Sequence, residues 1–407
     1  MTAPAPPLVG LDDVRAAAEL LRGVARETPL QNLRSLSEQV GGPVVLKCEN
    51  LQRTGSFKIR GAYTRIARLT DGERSRGVIA ASAGNHAQGV ALAAQLLGAR
   101  ATVFMPHAAP IPKVAATRAY GAEVRHVGST VDEALRAALQ HAEQTGAAFI
   151  HPFDHPDVIA GQGTVGLELL AQLPDVGTVV VCTGGGGLVA GIGVVVKALR
   201  PDVRVVAAQA SGAAAWPASL DQGRPVALEQ MTTIADGIAI GRPGETTFAH
   251  VREVVDDVVV VDDDALSRAI VHLLERAKLV VEPAGAAAVA AIMEAPHAFE
   301  GPVAAVVSGG NIDPLLLAKV VRHGLISAGR FLSLRVRIPD RPGELARLLG
   351  VLGDSGANVI DVEHSRTGRG LHLDEVQVEL QLETRSRDHG DDVLQRLAAA
   401  GYAVSPG

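Results

Sequence analysis

Cysteine is almost missing from this sequence: Cys48 and Cys182 are the only two thiols in 407 residues. That is too few for a disulfide framework or a cysteine-built zinc site, and a reducing compartment fits such usage. An excess of positive charge is missing too. With 38 Lys and Arg against 44 Asp and Glu the formal net charge is −6, which excludes a nucleic-acid-binding surface spread over the protein, so any bound anion is held locally. No run approaches the roughly 20 continuous apolar residues that span a bilayer. The start, Met1 to Gly10, has no basic stretch ahead of an apolar one. Together these absences read as a cytoplasmic protein with no membrane or nucleic-acid partner. What is present is a globular composition, 47% hydrophobic and 20% charged with 44 glycines, which excludes disorder as the main state. At roughly 150 residues per domain the length makes two or three domains.

Beyond the Pro-rich start, helical spacing at Leu11, Val14, Ala18 and Leu21 is followed by a short strand, Val44 to Cys48. From Gly77 the pattern becomes regular. Apolar strands (Gly77 to Ala81, Ala101 to Met105, Glu123 to Val127) alternate with helices (Asn85 to Leu97, Lys113 to Tyr120, Val131 to Thr145). The alternation continues with a helix from Gly163 to Gln172, a buried strand Thr178 to Cys182, a helix from Leu188, and a strand Val203 to Gln209. Val258 to Val261, one helix Asp264 to Ala277, an Ala-rich helix Ala284 to Met293, Val303 to Ser308, and Leu315 to Ile326 complete it. Strands alternating with helices mean parallel sheet, so residues 1 to 326 read as one large α/β body of two lobes. The smaller lobe, about 50 to 150, is nested within it. From Phe331 the order changes to βαββαβ, with strands Phe331 to Ile338, Asn358 to Arg366 and Leu371 to Leu382 and a last helix Asp388 to Ala400. That is an α+β ferredoxin-like module over 331 to 407.

Two stretches carry chemistry. Gly184-Gly185-Gly186-Gly187-Leu188 lies between a strand and a helix, where bare backbone N–H groups and the helix dipole favour a phosphate. A flexible turn is the plainer reading, and the spacing is not that of a nucleoside-triphosphate loop. Lys58, in Ser56-Phe57-Lys58, is flanked by apolar residues and glycines. In such a setting a lysine can lose its proton and bind pyridoxal phosphate covalently, although most lysines are solvated surface.

These runs, Leu51 to Tyr63 (LQRTGSFKIRGAY), Ala81 to Gly89 (ASAGNHAQG), the tetraglycine and Ser308-Gly309-Gly310-Asn311, resemble the threonine dehydratases (threonine ammonia-lyases). Those are pyridoxal-phosphate enzymes that share a fold with tryptophan synthase β. The motifs come in the family's order over about residues 10 to 326. The tail resembles an ACT domain, a small amino-acid-sensing module, through its DRPGEL turn and its GANVIDVEHSR strand.

The resemblance implies pyridoxal 5'-phosphate as cofactor and Lys58 as its Schiff-base lysine and Cα base, with Phe57 near the ring. Gly184, Gly185, Gly186, Gly187 and Leu188 would hold the phosphate, Asn85 the ring's phenolic oxygen, and Ser308 the pyridine nitrogen. Ser82, Asn85 and His86 would receive the substrate, the carboxylate falling to Ser82, His86 and nearby N–H groups. Plainer readings are an N-cap for Ser82, a polar helix residue for His86 and a turn residue for Ser308. The implied reaction is β-elimination, giving 2-oxobutanoate and ammonia from threonine, or pyruvate from serine. The resemblance also implies an amino-acid effector at the ACT turn, contacting Gly343 and Asn358, and a homo-oligomer, dimer or tetramer.

Some features take bland readings. Cys48 and Cys182 read as small buried residues, and His151 and His155 in HPFDHP as part of a loop rather than a metal site. Glu282 resembles a pocket-wall position with no role assigned. Metal-dependent relatives such as serine racemase carry acidic ligands where this sequence has Gln209, Ala213 and Ala215. A Mg²⁺ or Ca²⁺ site is therefore not expected, while a monovalent cation held by carbonyls stays open. Ala83 stands where racemising relatives carry a serine, which favours elimination. The alternatives are a serine racemase, serine dehydratase or β-replacement enzyme of the same fold, and, from another class, an amino-acid sensor with a vestigial catalytic body.

Overall fold

A computed structural model describes residues 8–366 and 371–406; the Pro-rich start through Pro7 lies outside the described residues, and nothing follows for it. The chain divides into two compact units, Met1–Leu317 and Ala318–Gly407, with the helix Pro314–Ser327 running across the boundary.

Among the described residues the first unit contains two sheets. The larger has six strands in the spatial order Leu30–Asn32, Val44–Cys48, Val303–Val307, Thr178–Cys182, Arg204–Ala210 and Asp257–Val261. All neighbours are parallel except the short antiparallel first strand at the edge. Its central strands are buried along their whole length, as strands with both faces covered by helices must be. The smaller sheet orders Glu123–His126, Ala101–Met105, Val78–Ala81 and Ala148–Phe149, all parallel. The two-lobed parallel architecture read from the sequence is thus the one found. Its carboxyl ends, where ligands of open α/β sheets bind, carry Gly184 after Cys182, Ser308 after Val307 and Ser82 after Ala81.

Of the elements read from the sequence, three differ in type or by more than two residues, while the short strands Leu30–Asn32 and Ala148–Phe149 and the helices Arg34–Val40, Lys58–Ala67 and Glu245–Val254, among others, were not read from it. The helix expected from Gly163 begins at Pro156, capped by the His155 ring, which accepts from Asp157 N. The helix expected from Asp264 to Ala277 is α-helical only to His272 and then widens into a π turn, Leu273–Ala277. In the tail, the third strand starts at Glu375 rather than Leu371, since His372 and Glu375 close a turn on each other (Glu375 N to His372 O, 3.0 Å).

The second unit is a four-stranded antiparallel sheet, Asn358–Ser365, Glu375–Glu383, Phe331–Pro339 and Ala403–Pro406, with helices Glu344–Asp354 and Arg387–Ala399. Alternate residues Leu334, Val336 and Ile338 meet Val376, Val378, Leu380 and Leu382 in its core, the period-2 burial of a sheet with one covered face.

Candidate active site

Lys58 opens the helix Lys58–Ala67. The segment before it is stitched to the turn after Val307: Ser56 pairs with Gly309, Phe57 N donates to Ser308 O at 3.2 Å, and Gly310 N donates to Gly55 O at 2.9 Å. The Lys58 Nζ donates to Pro152 O at 3.0 Å and lies 5.0 Å from the centre of the Phe57 ring. Burial pulls its pKa down to about 8, against the opposing pull of Cys182 and Glu282. A neutral amine, the nucleophilic and basic form, is therefore accessible near physiological pH.

The tetraglycine loop follows the buried Thr178–Cys182 strand and leads into the helix Gly187–Leu199. A methyl group added at Gly184 would lie 2.8 Å from the Ile238 Cα, and one at Gly185 would lie 2.4 Å from the Phe153 ring. At Gly186, where φ is +95°, it would meet the Trp216 ring at 2.4 Å. No side chain fits without moving backbone or an aromatic ring, so the loop is a bare-backbone cradle. The N–H groups of the helix's first turn lack intrahelical acceptors, which suits a phosphate. Trp216 Nε1 braces the loop from outside, donating to Gly184 O at 2.7 Å. Leu188 is buried in the first turn.

Asn85 is the first residue of the helix Asn85–Leu96. Its Nδ2 donates to Glu282 Oε1 at 2.6 Å, and its Oδ1 accepts from Asn311 Nδ2 at 2.8 Å. Ser82 Oγ accepts from Gly84 N at 3.1 Å. His86 is buried with Nε2 2.8 Å from Ile150 O. A carbonyl only accepts, so Nε2 carries the proton, and burial with Lys58 nearby pushes the pKa down to about 3. The ring is neutral and its other nitrogen has only a lone pair, so it offers no positive charge to a carboxylate. Ser308 is buried, its hydroxyl beside the Cys182 thiol. Burial pushes Cys182 up to about 11 and Cys48 up to about 12; both are protonated, buried residues rather than nucleophiles.

Sequence reasoning missed several groups and left Glu282, singled out as resembling a pocket-wall position, without a role. The loop after Phe149 is a wall of this site, not a spacer: Pro152 holds Lys58, Phe153 underlies the glycines, and His151 Nδ1 accepts from Asp154 N at 2.7 Å. Glu282, buried and pushed up to about 7 by burial and by Asp236, faces Asn85. Lys113 Nζ, on a smaller-lobe helix, binds Asp236 Oδ2 at 2.9 Å in the turn next to the glycine loop. Apart from His151, whose partner is three residues away, each acts through a partner distant in sequence, and the local pattern does not name that partner. At the loop without carboxylates, Gln209 spends its amide on Ala213 O and Trp216 N.

In the second unit a cavity of about 340 Å³ is lined by Asp340, Arg341, Pro342, Gly343, His364 and Arg366 among others. Arg366 pairs with Asp340 at 2.9 Å and holds that carboxyl below its ordinary range. Gly343 is in the lining as expected. Asn358 is not: its side chain donates to Glu383 at 3.2 Å, and His364 and Arg366, farther along the same edge of the sheet, face the cavity instead.

Residues 21–309 match the family described as pyridoxal-phosphate dependent enzyme, and residues 332–401 match the ACT domain. An L-threonine ammonia-lyase of Thermotoga maritima is 47% identical over 397 residues, 98% of this chain and 99% of its own. Among solved structures, maize serine racemase is similar with a TM-score of 0.74 at 37% identity, over 77% of this chain and 97% of that one. The threonine deaminase of T.th. is similar with a TM-score of 0.71 at 44% identity, over 75% of this chain and 99% of that one.

Proposed function

Because the chain belongs to the pyridoxal-phosphate dependent enzymes and ends in an ACT domain, we propose that it is an L-threonine ammonia-lyase that also accepts serine. The observation that carries this reading is the meeting of Lys58, the Gly184–Gly187 cradle and Ser308 in a chain related along its whole length to an enzyme of that name. Pyridoxal phosphate, when bound, supplies an electron sink that makes the substrate's Cα proton removable. The rest falls to the chain. The glycine loop and the helix behind it hold the phosphate. Asn85 Nδ2 meets the ring oxygen and Ser308 the pyridine nitrogen, where a neutral hydroxyl cannot enforce protonation as a carboxylate would. Ser82 and the N–H groups opening the Asn85–Leu96 helix receive the substrate carboxylate. Lys58 as free amine takes the Cα proton. Loss of the β-hydroxyl and hydrolysis then give 2-oxobutanoate and ammonia. Purified enzyme with L-threonine is expected to release these two products in equal amounts; a protein that binds cofactor but releases neither overturns the reading.

Residues 331–407 act as the regulatory domain, and the product enters isoleucine biosynthesis. The 340 Å³ cavity supports an amino-acid effector, its carboxylate facing Arg341 and Arg366 and its side chain Ile338 and Leu345. A branched-chain amino acid fits these walls. Binding is expected to change threonine affinity by about 1–3 kcal/mol of coupling. A chain cut after Ala328 is expected to stay active and lose the response; the T.th. threonine deaminase, matched over 99% of its length by 75% of this chain, supports a self-sufficient body. Gly343→Val is expected to block binding in the full chain. Titration of threonine turnover with isoleucine decides: an unchanged midpoint in the truncated chain places control elsewhere. No helix of the described residues is long and apolar enough to cross a membrane, and both cysteines are buried thiols, which supports a cytoplasmic setting. The exposed Asn358–Ser365 edge supports a homo-oligomer, dimer or tetramer.

A further inference from the structure

Asn311 is not a ligand in the scheme above, yet three groups of the site converge on it. Its Nδ2 donates to Thr54 O at 2.5 Å and to Asn85 Oδ1 at 2.8 Å. The Cα of Gly55 lies against its amide, where an added methyl would come within 2.4 Å of Asn311 Oδ1. Beyond Asn85, Glu282 Oε1 takes the next hydrogen bond at 2.6 Å.

The geometry points to Asn311 as a positioning residue: it transmits the direction of the Thr54 carbonyl to the Asn85 amide and so fixes which edge of Asn85 faces the cofactor. A backbone carbonyl can only accept, so the Asn311 atom facing Thr54 is the nitrogen. Its second hydrogen points at Asn85, which makes the facing atom of Asn85 the oxygen. Nδ2 of Asn85 then faces Glu282, which takes one hydrogen and leaves one for the ring oxygen. An inverted Asn85 would set nitrogen against nitrogen at Asn311. Glu282 cannot enforce the direction alone. Its pKa of about 7 leaves a mixture of forms near neutrality, and a protonated carboxyl can donate as well as accept. The Thr54 carbonyl has no second state. Its place is set by backbone torsions rare for a β-branched residue, φ 63° and ψ 9° at Thr54 followed by φ 70° at Gly55, the kind of strain kept where function requires it.

This inference rests on the proposed role of Asn85, and the test separates the two. Apo protein is titrated with pyridoxal phosphate, following the visible band of the bound cofactor, and the thermal midpoint of each apo variant is recorded. Asn311→Asp keeps the shape but reverses the polarity, and is expected to weaken cofactor binding at least tenfold and displace the band. Asn311→Ala removes the shape and leaves Asn85 free to choose, with an expected loss of about threefold. A space-filling role reverses that order, so an alanine variant binding as weakly as the aspartate variant, or both binding like wild type, overturns the inference. Should Asn311→Asp yield no folded apo protein, unchanged affinity in Asn311→Ala overturns it equally. Asn85→Ala is the arm for the underlying reading: if it leaves affinity and band unchanged, Asn85 is no cofactor ligand and both readings fall. If it weakens binding while the Asn311 variants do not, only the positioning role falls.

Discussion

Lys58→Ala is expected to stop 2-oxobutanoate release from threonine, with kcat down at least about a thousandfold, since proton transfer by a placed base alone contributes about 10²–10⁴ and the covalent hold on the cofactor is lost with it. Lys113, on the helix Ile111–Ala119, is no substitute, because its Nζ is committed to Asp236 at 2.9 Å. The fold should survive, because the Lys58 Nζ makes one protein hydrogen bond, to Pro152 O. Burial already costs the ammonium form enough to bring the pKa down to about 8, so alanine removes an unfavourable group as well as a useful one. Single-turnover and steady-state rates, with circular dichroism as the check on folding, decide it. A kcat within tenfold of wild type refutes the assignment of Lys58.

Two residues along the same helix, Arg60→Met is expected to cost about 3–5 kcal/mol of stability, the range for removing one partner of a buried ion pair. Arg60 is 1% exposed and Glu49 0%. The guanidinium grips Glu49 with two nitrogens, at 2.9 and 2.8 Å, and reaches Glu168 at 2.6 and 3.0 Å. Lys47 Nζ joins the same Glu168 at 2.6 Å. Without Arg60, Glu49 keeps only the Thr28 hydroxyl at 2.5 Å and must shed its charge or drag water inward. The exposed Arg15–Asp12 pair offers the contrast, worth about 0–1 kcal/mol at most. Urea denaturation measures both. An Arg60→Met loss below about 1 kcal/mol would mean that the buried cluster relaxes freely, and Glu49→Gln in the same chain should recover part of any larger loss.

How much of this was legible in the chain varies by element, for physical reasons. The helix Val131–Thr145 could be read to the residue, since Thr130 and Glu133 form a reciprocal cap and Gly146 ends it. The buried strand Thr178–Cys182 announces itself as an uninterrupted apolar run. The helix Pro156–Gln172 lost its first turns to Gly161 and Gly163, which look like breakers. In the fold they are points of close approach, Gly161 to the Arg60 carbonyl and Gly163 to the Gly191 carbonyl. Leu30–Asn32 is too short for any period to register. Within the site, Lys58, Asn85, the glycines and Ser308 are recognisable from local motifs. Glu282 and Asn311 acquire their roles only through Asn85, about two hundred positions away in the chain. Asn358 was misplaced for a related reason: the strand it opens does border the cavity, but through its far end.

The contact between the glycine loop and Phe153 also governs how this lineage can drift. A methyl group at Gly185 would enter the Phe153 ring at 2.4 Å, and one at Gly187 would meet the Phe153 Cβ at 3.0 Å. A descendant that enlarges Gly185 must first have accepted a smaller residue at 153, whereas at Gly187 the Phe153 backbone stands in the way as well and no smaller side chain removes it. The reverse order passes through a chain with a collapsed cradle. Positions 153 and 185 are therefore expected to change together or not at all among descendants, although thirty-one residues with a whole helix and strand lie between them. A substitution map made one position at a time would mark both as immovable and would miss that the constraint is shared.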